Sequence, residues 1–286
     1  MYEYKYDNFN LSADFPVVIS GMHVVKDTLI SCLHIHNCIE LGYCFDGSGL
    51  FTIEGKILPF TKNDVSVVTD HDFHYATSAP GTACTWRWIL LDPSQLLMNS
   101  LIGNEESRVL LDYYKELSSR IVGLKEQSEV PGIVYQIILE YDNKLRDYRS
   151  AIRSLVWRLI ILLNRLPRDC ETNGIHAKNH ENMMKMMPVL NLLSARYMEK
   201  LNVEELHRAC FMSKTNFRRL FKQAFKKTPV EYLNYLRISA AMVLLRNTDK
   251  PISQISMEVG FLTLSSFNRS FRKHHKATPR EFRNSM

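Results

Sequence analysis

The chain has 286 residues, 45% apolar and 23% charged, enough for one large or two ordinary globular domains and unlike a disordered or collagen-like polymer. Its longest near-apolar run, 155–163, is broken by Arg158 and is far shorter than the roughly 20 residues a membrane-spanning helix needs. The net charge of +6 conceals two halves: residues 183–286 carry 19 Lys and Arg against 7 Asp and Glu, net +12, and residues 1–181 carry 17 against 23, net −6. A basic segment of that size suggests a polyanion partner, which the acidic half has no reason to approach. The polar N-terminus lacks the features of a secretory signal, so a cytoplasmic protein without membrane contact is expected. Six scattered cysteines (Cys32, Cys38, Cys44, Cys84, Cys170, Cys210) without a C-x-x-C pair fit reduced thiols.

Residues 15–92 read as short strands between turns: Val17–Ile19, Thr28–His36, Glu40–Phe45, Leu50–Ile53, Val65–Thr69 and Thr85–Leu91. Many short strands without intervening helices predict a small antiparallel barrel or sandwich. Helical spacing begins near residue 93, with Leu96, Leu97 and Leu101, then 109–121, then Val134 to Leu145. The most amphipathic helix places Ile152, Leu155, Val156, Leu159, Leu162, Leu163 and Leu166 on one stripe and stops at Pro167. Residues 168–182 are polar and aperiodic, and read as an interdomain linker.

The basic half, 183–286, contains an internal repeat. Phe217/Phe267, Arg219/Arg269, Phe221/Phe271, Lys222/Arg272, Lys226/Lys276, Thr228/Thr278, Pro229/Pro279 and Glu231/Glu281 are each 50 residues apart. Each copy reads as helix, tight turn, helix, the first over about 203–225 and the second over about 252–275. Asn202 and Ser213 are predicted to cap the two helices of the first copy, and Gly260 supplies the turn of the second. Between them 229–246 is one amphipathic helix, long enough at about 27 Å to hold two recognition helices roughly one DNA turn apart.

Apart from its apolar positions, the second helix of the first copy presents Lys214, Thr215, Asn216, Arg218, Arg219, Lys222 and Lys226. That of the second copy presents Ser265, Ser266, Asn268, Arg269, Arg272, Lys273 and Lys276. Arg, Lys, Ser, Thr and Asn bond phosphates, and Arg and Asn also read guanine and adenine edges, so double-stranded DNA is expected over a merely solvated basic face.

These residues resemble the AraC/XylS transcriptional regulators, in Met212–Lys222, in Pro251–Ile255, Val259–Phe261 and Ser266–Arg272, and in Thr278–Arg283. The resemblance implies base contacts from Thr215, Arg218, Arg219, Ser265, Asn268 and Arg269, with phosphate contacts expected from Ser213, Lys214, Lys222, Lys226, Arg272, Lys273 and Lys276. Where the family usually has Gly, this chain has Lys226, Lys276 and Phe211; left-handed geometry kept there costs about 1 kcal/mol at each Lys.

The acidic half, 1–167, resembles the cupin-like ligand-binding domain often joined to such a DNA-binding domain. The implied architecture is multidomain: a mainly-β cupin-like barrel with flanking α-helices, then an all-α domain with two helix-turn-helix motifs joined by a linking helix. In a continuous strand His34, His36, Cys38 and Glu40 would face one way, and Trp86 and Trp88 would also share a face. A ligand site of His34, His36, Glu40, His74, Trp86 and Trp88 could take a small polar effector, a sugar or its derivative being the family-level expectation. His34, His36, Glu40 and His74 also match the ligand order of metal-dependent cupins, but the preferred reading is hydrogen bonding within the barrel or to an organic ligand, without metal or cofactor. The implied function is effector-controlled, sequence-specific transcriptional regulation without catalysis. A homodimer built through the 152–166 helix is expected, with RNA polymerase as a partner if the protein activates. The rival from another class is a metal-dependent cupin enzyme carrying a DNA-binding tail.

Overall fold

The computed structural model describes residues 5–26, 34–70, 72–79, 82–98, 117, 119–123, 129–166 and 176–284. In chain order the strands are β1 (Lys5–Asp7), β2 (Val17–Ile19), β3 (His23–Lys26), β4 (His34–His36), β5 (Ile39–Asp46), β6 (Ser48–Ile53), β7 (Lys56–Thr61), β8 (Val65–Val68), β9 (His74–Ser78), β10 (Ala83–Leu91) and β11 (Arg120–Val122). They form two sheets, β1-β4-β9-β6-β7 and β11-β8-β5-β10-β2, with β3 also paired to β10. The pairing is antiparallel except between β1 and β4.

The period-2 alternation of strand side chains divides the barrel's core in two. On β5, Ile39, Leu41 and Tyr43 point outward and pack with Val65, Val67, Ile89 and Leu91 against two helices, α2 (Glu129–Asn143) and α3 (Tyr148–Arg165), which follow the short α1 (Pro93–Met98). The other parity points inward, where Cys44, Phe51, Ile53, Phe60, Val68, Cys84 and Trp86 form the barrel interior. Gly42 lies on that inner parity because nothing larger fits: a Cβ there would lie 2.2 Å from the Trp88 ring.

The outer face of the first sheet is covered differently. Ile35, Leu50, Ile57, Phe73 and Tyr75 share one continuous core with the helical half. That half comprises α4 (His176–Arg196), α5 (Val203–Ala209), α6 (Lys214–Phe225), α7 (Pro229–Asn247), α8 (Ile252–Glu258), α9 (Leu264–His275) and α10 (Pro279–Asn284). At 1.5 Å per residue the 19 residues of α7 span about 28 Å.

Several expectations need correction. The helix expected over 109–121 ends in a strand instead: Arg120, Ile121 and Val122 are β11, paired to β8; residues 99–116 lie outside the described residues. The aperiodic stretch 168–182 is helical from His176, where α4 begins; 168–175 also lie outside. The strand expected over Thr28–His36 is described only as β4, since 28–33 lie outside. Residues 34 to 40 are not one strand. The chain bends at Asn37–Cys38, so β4 lies in one sheet and β5 in the other.

Candidate nucleic-acid interface and ligand site

Each helix-turn-helix copy is fixed by capping and by a buried aromatic pair. Asn202 Oδ1 accepts from the Glu205 amide at 2.9 Å, with Glu204 and Glu205 in the first turn of α5 where the helix dipole favours them. Ser213 caps α6 and Thr263 caps α9 in the same way. Phe217 and Phe221 of α6, and Phe267 and Phe271 of α9, are fully buried. Both recognition helices end on a left-handed Lys, Lys226 at φ 54° and Lys276 at φ 57°, as the departure from glycine implied.

Those anchors leave the opposite face of each recognition helix to solvent. Thr215, Arg218, Arg219, Lys222 and Lys226 are exposed on the first, and Ser265, Arg269, Arg272, Lys273 and Lys276 on the second, with Asn268 half-buried. Some of them are engaged already. The Ser213 hydroxyl accepts from the Asn216 amide, Lys214 pairs with Glu204, and Lys273 Nζ lies 3.2 Å from Glu231 Oε1. Arg219 donates to Asn216 Oδ1 at 2.8 Å and to Gln223 Oε1 at 3.3 Å, which orients its guanidinium along the helix. Ser265, Asn268, Arg269 and Arg272 line a groove closed by Thr278, Pro279 and Arg280.

In the barrel, the corner at Asn37–Cys38 turns the chain so that side chains from both sheets converge. His34 pairs directly across from His74 in the first sheet, and Glu40 enters from the second. The ligand atoms of His34, His36, Glu40 and His74 all lie within 4.8 Å of one another. His36, Glu40 and His74 are buried, and His34 is half-buried at the open side. His74 Nε2 is 3.3 Å from Glu40 Oε1, and His36 Nε2 is 3.6 Å from Glu40 Oε2.

The environment sets the ionisation. Burial pushes the Glu40 carboxyl up, but the His74 and His36 imidazoles outweigh it and hold the group below the usual carboxylate range. Burial lowers His36, while Glu40 and the Cys38 carbonyl raise it by more, so its net shift is upward. Burial pushes the neighbouring Cys38 thiol up to about 12, which keeps it neutral.

The two tryptophans take separate roles. They stack at 4.9 Å and 4° on each other. Trp86 is fully buried, with Phe60 edge-on against it and its indole N–H donated to Cys84 Sγ at 3.3 Å, so it belongs to the barrel core rather than to a pocket wall. Trp88 is half-buried. Phe51, which sequence reasoning did not single out, bridges the two groups: it lies parallel to His74 at 6.1 Å and tilted against Trp88 at 6.1 Å.

Two family models match the chain, one described as the AraC-like ligand binding domain over residues 31–160 and one as a helix-turn-helix domain over 206–285. The chain belongs to the AraC family of transcriptional regulators. It is similar to an uncharacterised HTH-type transcriptional regulator, YdeC, of Bacillus subtilis, at 22% identity over 88% of this chain and 85% of the relative. It is also similar to the transcriptional activator RhaR of Mannheimia succiniciproducens, at 20% identity over 98% and 95%. The lactose operon transcription activator of Staphylococcus xylosus matches at 21% identity over 83% and 80%. As an AraC-family regulator, the chain pairs a ligand-binding N-terminal domain with a DNA-binding helix-turn-helix domain. Among the described residues no helix is long and apolar enough to cross a membrane.

A direct contact joins the two halves of this AraC-family chain. Tyr235 on α7 donates its hydroxyl to the Ile57 carbonyl at 2.8 Å, and the hydroxyls of Tyr75 and Ser194 are 3.3 Å apart. Neither contact carries a sequence signal, because a lone Tyr on a helix announces no partner 178 residues away.

Proposed function

We propose that this regulator is one-component: a small molecule bound in the barrel alters how the two recognition helices engage promoter DNA. The observation that carries the reading is the placement of β9. His74 points into the barrel, while its neighbours Phe73 and Tyr75 point out into the core shared with the DNA-binding half. A shift at His74 is therefore a shift at the surface the DNA-binding half rests on, and a ligand acts to the extent that it prefers one of the two arrangements. His34, His36, Glu40, His74 and Trp88 form the contact set, backed by Trp86. The lactose operon relative favours a sugar or sugar derivative as effector.

For the DNA, Thr215, Arg218, Arg219, Ser265, Asn268 and Arg269 are the base readers. Lys222, Lys226, Arg272 and Lys276 supply phosphate contacts, joined by Ser213, Lys214 and Lys273 once their present partners yield. The protein acts in the cytoplasm and is not an enzyme, and it meets RNA polymerase if it activates. We propose a homodimer. Most of the apolar stripe of α3 is spent on the barrel and α2, while Trp157 and Ile161, which lie together off that stripe, stay half-buried and, with the more exposed Tyr135 and Leu139 of α2, are available to a second copy. Sedimentation of the full chain as a strict monomer at high concentration overturns that assembly.

Sites selected from random DNA by the full chain provide the test. Arg218→Ala or Arg269→Ala is expected to relax preference at adjacent bases by about 1–3 kcal/mol, whereas Lys222→Ala or Arg272→Ala weakens all sequences and lowers the salt slope by about 1. Common mono- and disaccharides, lactose included, are then added to the best site. At least one is expected to shift affinity within the roughly 5–150-fold range of ordinary coupling, and less so in His36→Ala. A panel in which no sugar changes either DNA affinity or melting temperature removes the sugar reading.

A further inference from the structure

The polar end of the barrel is wired for a cation. We propose that His34, His36, Glu40 and His74 bind one divalent transition-metal ion, which serves as the fixed anchor of the ligand site. The proposal concerns the pocket already described and rests, for its regulatory meaning, on the reading of the barrel as a sensor. It revises the expectation from sequence of a site without metal.

The hydrogen bonds on the far side of the imidazoles carry the argument. His36 Nδ1 lies 2.9 Å from the Cys38 carbonyl, and His74 Nδ1 lies 2.9 Å from the Asp72 carbonyl. A peptide carbonyl only accepts, so both Nδ1 atoms carry hydrogen, and in the neutral ring each Nε2 is a bare lone pair. Both lone pairs face the Glu40 carboxylate, which also only accepts. Acceptor set against acceptor is repulsive unless positive charge lies between them, either a proton or one metal ion shared by all three groups. Despite separations of 3.3 and 3.6 Å, His36 Nε2, His74 Nε2 and Glu40 Oε1 are buried without a hydrogen-bond partner. Unpaired buried polar atoms are costly, and three of them aimed at one point need a common partner.

A metal ion answers each feature. Imidazole Nδ1–H donated to a backbone carbonyl is the usual outer support of a metal-bound histidine, fixing the tautomer that leaves Nε2 free to ligate. With bonds of about 2.0–2.2 Å, ligand atoms around a tetrahedral ion lie roughly 3.3 Å apart, close to the two separations already present. Three imidazoles and a carboxylate suit zinc, cobalt, iron, nickel or manganese rather than calcium or magnesium.

The support is built as well. Asp72, whose carbonyl orients His74, is held through its carboxylate by Thr69 and Ser119 hydroxyls at 2.5 Å each. The Phe73 amide donates to Glu54 Oε1 at 2.9 Å, which fixes the start of β9. Phe51 stacks parallel to His74, and Phe9 packs edge-on to His36 at 6.0 Å. Half-buried His34 leaves a way in for the ion and for oxygen atoms of an effector completing its coordination.

The full chain, stripped with chelator and exposed separately to zinc, cobalt and manganese before desalting, tests the proposal by elemental analysis. The expected result is about one tightly held ion per chain for at least one metal, falling at least tenfold in His36→Ala and Glu40→Gln. His74→Gln is the milder variant should either of these unfold, and wild type gives an independent reading. Cobalt bound here produces paramagnetically shifted exchangeable imidazole N–H signals, because His36 and His74 keep Nδ1–H. A wild-type chain that retains no ion, or retains the same amount in all three variants, or binds cobalt without those signals, overturns the site. DNA affinity measured with and without the ion separates the two readings: a loaded site that leaves DNA binding unchanged counts against the sensor, and sugar-responsive DNA binding in a chain that holds no metal counts against the ion alone.

Discussion

The two helix-turn-helix copies are built on one plan, yet they satisfy it with different residues. Both place a fully buried Phe pair at the same spacing, both end the recognition helix on a left-handed Lys, and both begin the next helix with Thr-Pro-x-Glu. They differ at the entrance and at the turn. The first copy starts α5 on an Asn202 side-chain cap with two acids behind it, whereas α8 starts after Pro251 with no side-chain cap and no acid in its first turn. In the turn, Phe211 at φ 52° stands where the second copy has Gly260 at φ 91°. The reason is local. Phe211 is 98% exposed, so its side chain meets nothing, but a Cβ on Gly260 would lie 2.6 Å from the Met198 carbonyl oxygen. The buried frame is held in common, and variation collects where the chain faces solvent or DNA.

The sharpest way to break this equivalence is to cut the shared anchors. Phe217→Ala and Phe267→Ala each open a cavity at a fully buried site and are expected to cost about 3–5 kcal/mol in urea denaturation of the full chain. Near-equal costs follow if the copies are equivalent frames. A large cost in one and a small cost in the other would show that a single copy carries the core.

A smaller effect sharpens the difference between the turns. Gly260→Ala adds left-handed strain of about 1–2 kcal/mol and a backbone clash worth about another 1–2, for an expected loss of about 2–4 kcal/mol. Phe211→Gly relieves the same kind of strain without giving up packing, and is expected to raise stability by about 1 kcal/mol. Thermal melts of both variants read the contrast, and two changes of the same sign would remove it.

This asymmetry also explains what was legible in the sequence. The repeat announced the frame because caps, buried aromatics and turns are local and recur at a fixed offset. The barrel was harder to read. β9 contains Ala76 and Ser78 and β7 carries Pro59, which weaken β-propensity where pairing with neighbours decides the structure, and β11 is only three residues following helix-like spacing. His34, His36, Glu40 and His74 are candidates through the resemblance to cupin-like domains, but the expected single strand is a corner between two sheets. The carbonyls of Cys38 and Asp72, which fix the two imidazoles, leave no mark in a sequence because every residue has one. Trp86 was placed in the pocket by parity, and parity does not distinguish a pocket wall from packed interior.

The smallest expected effect separates the two Thr-Pro-x-Glu boxes. In each, the Glu carboxylate accepts from the Thr amide, at 3.0 Å for Glu231 on Thr228 and 2.7 Å for Glu281 on Thr278, and the Thr hydroxyl accepts from the Glu amide. Removing either hydroxyl as Thr228→Ala or Thr278→Ala is expected to cost about 1 kcal/mol. The carboxylates add a pH dependence. The Thr228 amide, then its hydroxyl, then Lys273 bring Glu231 down to about 2, and Glu281 is lowered by its Thr278 amide and hydroxyl and, less, by the charge of Arg272. A carboxyl whose folded value lies below its unfolded one stabilises the fold above the unfolded value, and that contribution fades as pH falls toward the folded value. Stability from the first box is therefore expected to be complete above about pH 4.5 and to decline toward pH 2. Glu231→Gln should flatten that acid limb more than Glu281→Gln does, since Lys273 of α9 hydrogen-bonds Glu231 directly whereas Arg272 of α9 acts on Glu281 through its charge alone. Equal flattening in acid titrations of the two variants would mean that Lys273 gives Glu231 nothing, leaving that lysine free to meet a phosphate.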